Sequence, residues 1–287
     1  MGKIIDGKKV AQDIKFEIKN FIDKRKQQGL RLPKIVSILV GNDEGSIYYI
    51  NSQEKVATSL GVEFNKLLLD KDIKEEDLIE KIKKLNNDNN VDGIIIQLPL
   101  PSKLNEKRII NTILPSKDID CLTFINQGKL YCGDKVFLPC TPNSVITLLE
   151  KYNVELEGKN VVVIGRSNIV GKPVAQLLVN KNATVTICHS KTKNLKEICK
   201  RADILVVAIG KAKFIDKEYV NENSIILDVG TSSLDGKITG DVDLENIINE
   251  ISMITPVPGG VGALTTTLLI KNSCEALEYN ENENFNS

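Results

Sequence analysis

The chain has 287 residues, 41% hydrophobic and 26% charged, and its 38 basic and 38 acidic residues leave no net charge. That length predicts two domains, or one large one, with room for substantial cores. The charge balance argues against nucleic acid or an anionic membrane as partner. The polar start and the lack of any apolar run near the roughly 18 residues that span a bilayer predict a cytoplasmic protein.

Six cysteines (Cys121, Cys132, Cys140, Cys188, Cys199, Cys274) form no CxxC pair, and His189 is the single histidine. No disulfide scaffold and no metal site are expected, and most of the thiols should be buried.

In chain order, residues 6–28 read as a surface helix ending at Gly29. "KIVSILVG" (34–41) is a short apolar run stopped by glycine, hence a buried strand. Residues 46–60 predict a helix that Gly61 ends, and "VEFNKLLL" returns as a strand. "KEEDLIEKIKKLNND" (74–88) is an amphipathic helix with an acidic first turn. "VDGIIIQLPLP" (91–101) is a strand with Gln97 and two prolines at its end, and a helix follows near 105–113. Strands and helices alternate as in βαβ units with a parallel sheet. Residues 115–142 read as irregular, and such long connections are usually functional or linking. "NSVITLLEKYN" is a helix with Pro142 near its start.

From residue 160 the pattern restarts: "NVVVIG", "ATVTICHS", "DILVVAIG" and "SIILDVG" are strands, with helices at "NIVGKPVAQLLVNKN" and "NLKEICKRA". Residues 265–278 form a closing helix able to pack back on the first domain, followed by a polar, frayed tail. The expected fold class is α/β, two three-layer α/β domains with the second of Rossmann type. The expected boundaries are 1–141, 142–264 and 265–287.

"VVVIGRSNIVGKPVAQLL" (161–178) runs a buried strand into a turn with Gly165, Arg166, Ser167, Val170 and Gly171, then a helix. It approximates the pyrophosphate-binding G-x-G-x-x-G turn, with serine and valine at the later two places. About 20 residues on, an NAD site usually carries an acidic residue for the ribose hydroxyls. Here the chain has "CHSKT", with His189, Ser190 and Lys191. Hydroxyls and a cation, with Arg166 in the first turn, suit a 2′-phosphate and hence NADP. His189, at the end of the cofactor strand, is expected near the adenosine and not as a general base.

"GRSNIVGKP", "CHSKT", "ILDVG" and "ITPVPGGVG", with "VDGIIIQLPLP", "KDID" and "PCTP" before them, resemble the methylenetetrahydrofolate dehydrogenase/cyclohydrolase family over nearly the whole chain. The resemblance implies a folate-binding α/β domain, an NADP-binding Rossmann domain, a final helix returning to the first domain, and substrate in a cleft between domains. It implies a homodimer acting on tetrahydrofolate derivatives. The implied reactions are oxidation of 5,10-methylenetetrahydrofolate to the 5,10-methenyl form with NADP, and hydrolysis of that to 10-formyltetrahydrofolate.

Carried over residue by residue, Tyr49 matches the tyrosine that stacks on the folate ring system. Four residues on, one helical turn along the same face, the family has a lysine, and here that position is Gln53. Lys55 points roughly 200° away from Gln53 in a regular helix. Gln97 matches the glutamine that bonds the family's lysine and orients substrate, with Leu98 beside it. Asp120 matches the aspartate that holds the pterin's amino-amide edge, and Asp118 is expected to be solvated. Pro256, Pro258, Gly259 and Gly260 match the loop near the nicotinamide and pterin, and Gly210, Gly230 and Thr231 complete the implied cofactor contacts. The chain departs from the family at Cys121, where glycine is common, at Leu122–Thr123, at Asn143 and at Ala263–Leu264.

The two reactions make unequal demands. Oxidation needs the rings oriented and no side-chain base. Hydrolysis needs proton transfer, which a positioned acid or base speeds by ~10²–10⁴. A lysine of lowered pKa can supply that, and a neutral amide cannot titrate. The expectation is an NADP-dependent dehydrogenase with weak or absent cyclohydrolase activity. The alternatives are a fully bifunctional enzyme that uses Lys55 or ordered water, and a Rossmann scaffold without turnover.

Overall fold

The computed structural model describes residues 2–134, 137–234 and 236–285. They group into two compact units. One comprises Asp13–Pro139 and the chain from Thr266 on, and the other the residues up to Gln12 with Cys140–Thr265.

The elements run β1 Lys3–Ile4, α1 Gly7–Gln27, β2 Lys34–Val40, α2 Glu44–Leu60, β3 Glu63–Leu69, α3 Glu75–Asn86, β4 Gly93–Ile96, α4 Glu106–Ile110 and α5 Phe124–Cys132. They continue α6 Cys140–Lys151, β5 Asn160–Ile164, α7 Gly171–Val179, β6 Thr184–Cys188, α8 Leu195–Lys200, β7 Ile204–Val207, β8 Ile225–Asp228, β9 Ser232–Leu234, β10 Lys237–Thr239, α9 Leu244–Ile247, β11 Met253–Ile254 and α10 Val261–Phe285.

The first unit holds a three-stranded parallel sheet in the order β3-β2-β4. From the central strand β2 the chain adds β3 on one side, then crosses to add β4 on the other. That reversal makes a switch point at the carboxyl ends of β2 and β4, where open α/β sheets bind ligands. The pleat turns Val36, Ile38 and Val40 toward a core with Leu78, Ile79, Ile82, Ile94, Ile96 and Ile109. Ile35, Ser37 and Leu39 take the opposite face.

The second unit holds a six-stranded parallel sheet in the order β1-β11-β8-β7-β5-β6, with β9 and β10 as a separate antiparallel pair. β5 is flanked by β6 and β7, so the order again reverses beside β5. This is the Rossmann-type pattern expected from the strand spacing. Its core packs Val162, Ile164, Leu205, Val207, Ile226 and Ile254 against Tyr219 and Val220.

Three details differ from the sequence reading. The first strand does not lie with the domain expected over 1–141: Lys3 and Ile4 pair with Met253 and Ile254 in the six-stranded sheet. A two-residue strand carries too little periodicity to assign. The stretch read as irregular contains α5, capped by the Thr123 side chain and closed by Gly133 at φ 79°. Both cap signals are in the sequence, and Gly128 and the short length masked them. The tail read as frayed is helical through Phe285, and the Arg25 guanidinium holds Glu281 at 2.6 Å.

Candidate active site

In the three-stranded unit the site is built on α2 and the end of β4. Asp43 precedes α2, and its carboxylate accepts from the Ser46 N–H and hydroxyl, both at 2.8 Å. Those bonds hold the Asp43 carboxyl below its ordinary range, the backbone one contributing most. Gly61, at φ 86°, closes the helix as expected. Tyr49 and the adjacent Tyr48 are exposed, at 52% and 67%, with rings edge to face at 6.2 Å. Tyr49 therefore offers aromatic surface to a flat ligand.

One turn on, Gln53 faces inward and is 9% exposed, while Lys55 is exposed. The Gln97 N–H extends the β4 ladder by donating to Ile38 O at 2.9 Å. Gln97 thus lies two residues past Ile95, the partner of Ser37, on the same sheet face as Ser37. Gln97 Nε2 donates to Gln53 Oε1 at 2.8 Å and to Ser37 Oγ at 2.9 Å. Gln53 and Gln97 thus form a buried neutral pair where a lysine would make a charged one. Leu98 follows, half-buried, and its carbonyl accepts from Ser46 Oγ at 3.3 Å.

The "KDID" run splits by burial. Lys117 is buried and donates to the carbonyls of Leu85 and Asp88, capping the end of α3, and burial lowers its pKa. Asp118 was expected to be solvated and is instead 2% exposed. It accepts from the N–H groups of Leu122 and Thr123, from Thr123 Oγ1 and from Asn126 Nδ2. Four donors repay its desolvation, a compensation that residue type alone does not reveal. Asp120 is half-buried. Cys121, in the place of the family's common glycine, has φ 57°. A non-glycine residue thus holds a left-handed backbone here, at a cost of roughly 1–2 kcal/mol.

In the six-stranded unit the "GRSNIVG" turn follows β5. Gly165 has φ 132°, and a Cβ there would lie 2.3 Å from Ala208 O. A Cβ on Gly171 would lie 2.4 Å from Gly165 O. Both positions therefore require glycine, the close approach a dinucleotide turn uses. Ser167 Oγ accepts from the Val170 and Gly171 N–H groups, each at 3.2 Å. Serine at the fingerprint's second glycine thus caps the helix start.

Beyond β6, His189 Nδ1 accepts from the Lys191 N–H at 3.2 Å, and the His189 N–H donates to Thr192 Oγ1 at 2.9 Å. His189 organises this loop. Ser190, Lys191 and Arg166 are exposed, and among the described residues neither cation has an ion-pair partner.

Two buried carboxylates brace the remaining loops. Asp241 accepts from three successive N–H groups: Ile209 at 2.7 Å, Gly210 at 2.9 Å and Lys211 at 2.6 Å. Asp228 accepts from Gly230, Asp241 and Val242. Burial pushes the Asp228 carboxyl up to about 7 against the pull of those bonds. A Cβ on Gly230 would collide with the Asp241 carboxylate, and Thr231 beside it is exposed. The Pro256–Gly260 loop is held by the amino-terminal segment: the Gly7 N–H donates to Gly259 O at 3.0 Å, and a Cβ on Gly7 would lie 2.0 Å from Gly260 O. Pro258 is exposed and Pro256 half-buried.

The tetrahydrofolate dehydrogenase/cyclohydrolase catalytic-domain model matches residues 5–120, and the NAD(P)-binding-domain model of the same family matches residues 139–281. The chain belongs to that family. Bifunctional protein FolD of Clostridium beijerinckii is 69% identical over 98% of this chain and all of its own length. The crystal structure of the Campylobacter jejuni bifunctional FolD methylenetetrahydrofolate dehydrogenase/cyclohydrolase superposes with a TM-score of 0.95 at 40% identity, covering 97% of this chain and 99% of that one. The Trypanosoma brucei enzyme, solved with NADP cofactor and inhibitor, superposes at 0.92 with 33% identity, covering 97% and 98%. The six-stranded unit is accordingly the family's NAD(P)-binding Rossmann domain.

Among the expected site residues, the structure joins Gln53 to Gln97 directly, sets Tyr49 one turn from Gln53, and puts Gly165, Gly210 and Gly230 in the loops after β5, β7 and β8. Sequence reasoning missed Ser37, Asp228 and Asp241. Ser37 had a signal, as the one polar residue between Ile35 and Val40. Among the described residues no group of three or more His, Cys, Asp or Glu side chains is placed to hold a metal ion, and no helix is long and apolar enough to cross a membrane.

Proposed function

We propose that the chain oxidises 5,10-methylenetetrahydrofolate to 5,10-methenyltetrahydrofolate with NADP, and that its cyclohydrolase step is weak or absent. The observation that carries the second half is the neutral Gln97–Gln53 bond at 2.8 Å. The family relationship, the named activities of the relatives and the glycine cradle support the first half.

Tyr49 would stack on the pterin, Gln97 and Leu98 would line it, and Asp120 would accept from its amino-amide edge. Gly165, Arg166, Ser167, Val170, Gly171, His189, Ser190, Lys191, Gly210, Gly230 and Thr231 would hold the dinucleotide. Exposed, unpaired Arg166 and Lys191 favour a 2′-phosphate over a bare ribose hydroxyl. When bound, NADP would supply the acceptor for the hydride that leaves the methylene carbon. The adjacent nitrogen lone pair of the folate stabilises the resulting cation, so the protein need only orient.

Hydrolysis requires water to attack the methenyl carbon, a proton to leave and a C–N bond to break. Gln53 can orient that water but cannot take its proton. Lys55 is exposed while Gln53 is buried, which weighs against its substitution for the missing lysine.

The test is a time course with 5,10-methylenetetrahydrofolate and NADP that follows NADPH and methenyl product together. Accumulation of methenyl product with NADPH, decaying at the enzyme-free rate, is expected. Enzyme-dependent decay would restore the fully bifunctional reading. Binding of folate and NADP without turnover, with NAD also inactive, would favour a scaffold.

A further inference from the structure

We propose that Ser37 is a positioning residue for the pterin site: its buried hydroxyl fixes the Gln97 amide, and it can do so with either a glutamine or a lysine at position 53. The inference rests on the reading that Gln97 and Gln53 face folate.

Ser37 lies in the middle of "KIVSILV" and is 0% exposed. A hydroxyl buried in an apolar strand is costly unless it is hydrogen-bonded. Its bond is to Gln97 Nε2 at 2.9 Å. The same Nε2 donates to Gln53 Oε1 at 2.8 Å, so both of its protons are used. The Gln97 amide is thereby locked in one orientation. Among the described residues, Gln97 Oε1 and Gln53 Nε2 have no protein partner. That leaves the Gln97 carbonyl oxygen as an acceptor and both N–H groups of Gln53 Nε2 as donors for a ligand or its water.

A lysine at position 53 would invert the arrangement. An ammonium only donates, so Gln97 would have to turn Oε1 toward it. The turn brings the same Oε1 against Ser37. A hydroxyl that accepts in one state can rotate and donate in the other, which no apolar side chain in that strand could do. Ser37 therefore matches the amide to whichever residue stands on α2.

The experiment measures kcat/KM for 5,10-methylenetetrahydrofolate, KM for NADP and Tm. The enzymes are the wild type, Ser37→Ala, Ser37→Thr and Ser37→Val, each also in a Gln53→Lys background. Threonine and valine share a shape and differ by the hydroxyl, so any overpacking is common to both. Ser37→Ala and Ser37→Val should lose about five- to tenfold in kcat/KM for folate, the size of one neutral hydrogen bond, in both backgrounds. Ser37→Thr should retain activity, and KM for NADP should stay unchanged.

Equal activity of the threonine and valine variants, or full activity of Ser37→Ala, would overturn the role of Ser37 and leave the folate reading intact. A loss shared equally by both substrates' kcat/KM and tracking a lowered Tm would also overturn it, as a folding defect. A wild type that oxidises no folate with NADP or NAD would overturn both.

Discussion

Each unit buries a polar cluster beside its parallel sheet, and the two clusters use different chemistry. In the three-stranded unit, Ser37, Gln97 and Gln53 are neutral side chains bonded to one another. In the six-stranded unit, Asp228 and Asp241 are carboxylates bonded to main-chain N–H groups. The first arrangement leaves polar atoms open for a ligand and lets an amide turn over. The second spends its acceptors on the backbone and freezes the loops that carry Gly210 and Gly230. The contrast sets bonds among side chains, which leave polar atoms open, against bonds to the main chain, which fix the shape of a loop.

The sharpest way to break the contrast is Asp241→Ala. It removes the acceptor of three part-buried N–H donors, so urea unfolding should show a loss of about 1–3 kcal/mol at unchanged slope. NADP affinity should fall with it, and a loss below about 1 kcal/mol would mean that the loops hold without the carboxylate.

Gln53→Lys should convert the neutral cluster into a titrating one. Enzyme-dependent decay of methenyl product should rise by on the order of tenfold to a hundredfold, with a new pH dependence, toward the lower reach of acid–base catalysis. A hydrolysis rate indistinguishable from wild type would detach residue 53 from the second step.

A pH experiment distinguishes the clusters more gently. Burial raises Asp228 to about 7 from the ordinary carboxylate value near 4. Its stabilising contribution is therefore present in full below about pH 4 and lost as pH rises through about 7. Refolding near pH 6 should take up a proton at this residue, and Asp228→Asn should abolish that uptake. The neutral cluster predicts no such change for Gln53→Ala. Uptake that survives in Asp228→Asn would place the proton elsewhere.

The smallest effect concerns the thiols. Cys132 is exposed and the other five cysteines are buried, with Cys199 and Cys274 pushed up to about 12 by burial. A thiol reagent should label Cys132 in native protein and the remainder only in denaturant. Labelling of Cys121 at a similar rate would show that its left-handed turn opens to solvent.

Much of the architecture was legible from residue order. Apolar runs ending in Gly41 and Gly165 marked β2 and β5, and Gly61 marked the end of α2, because turns and caps are local events. The glycine turn and the Gln53 substitution were legible too, since each depends on spacing along one element. The short strand β1, the helix α5 and the burial of Asp118 were not. A two-residue strand exists only because β11 lies beside it, and a carboxylate can be buried only where distant donors converge.

By itself, the sequence determined that the chain alternates strand and helix, that a dinucleotide turn follows β5, and that no titrating side chain stands at position 53. These are properties of residue type and near-neighbour spacing. Only the tertiary structure decided that Ser37, Gln53 and Gln97 share one hydrogen-bonded cluster, and that Asp241 braces a loop about 30 residues before it in the chain. Hydrogen bonds across strands and between a sheet and its covering helix depend on register and facing, which appear only once the elements have packed.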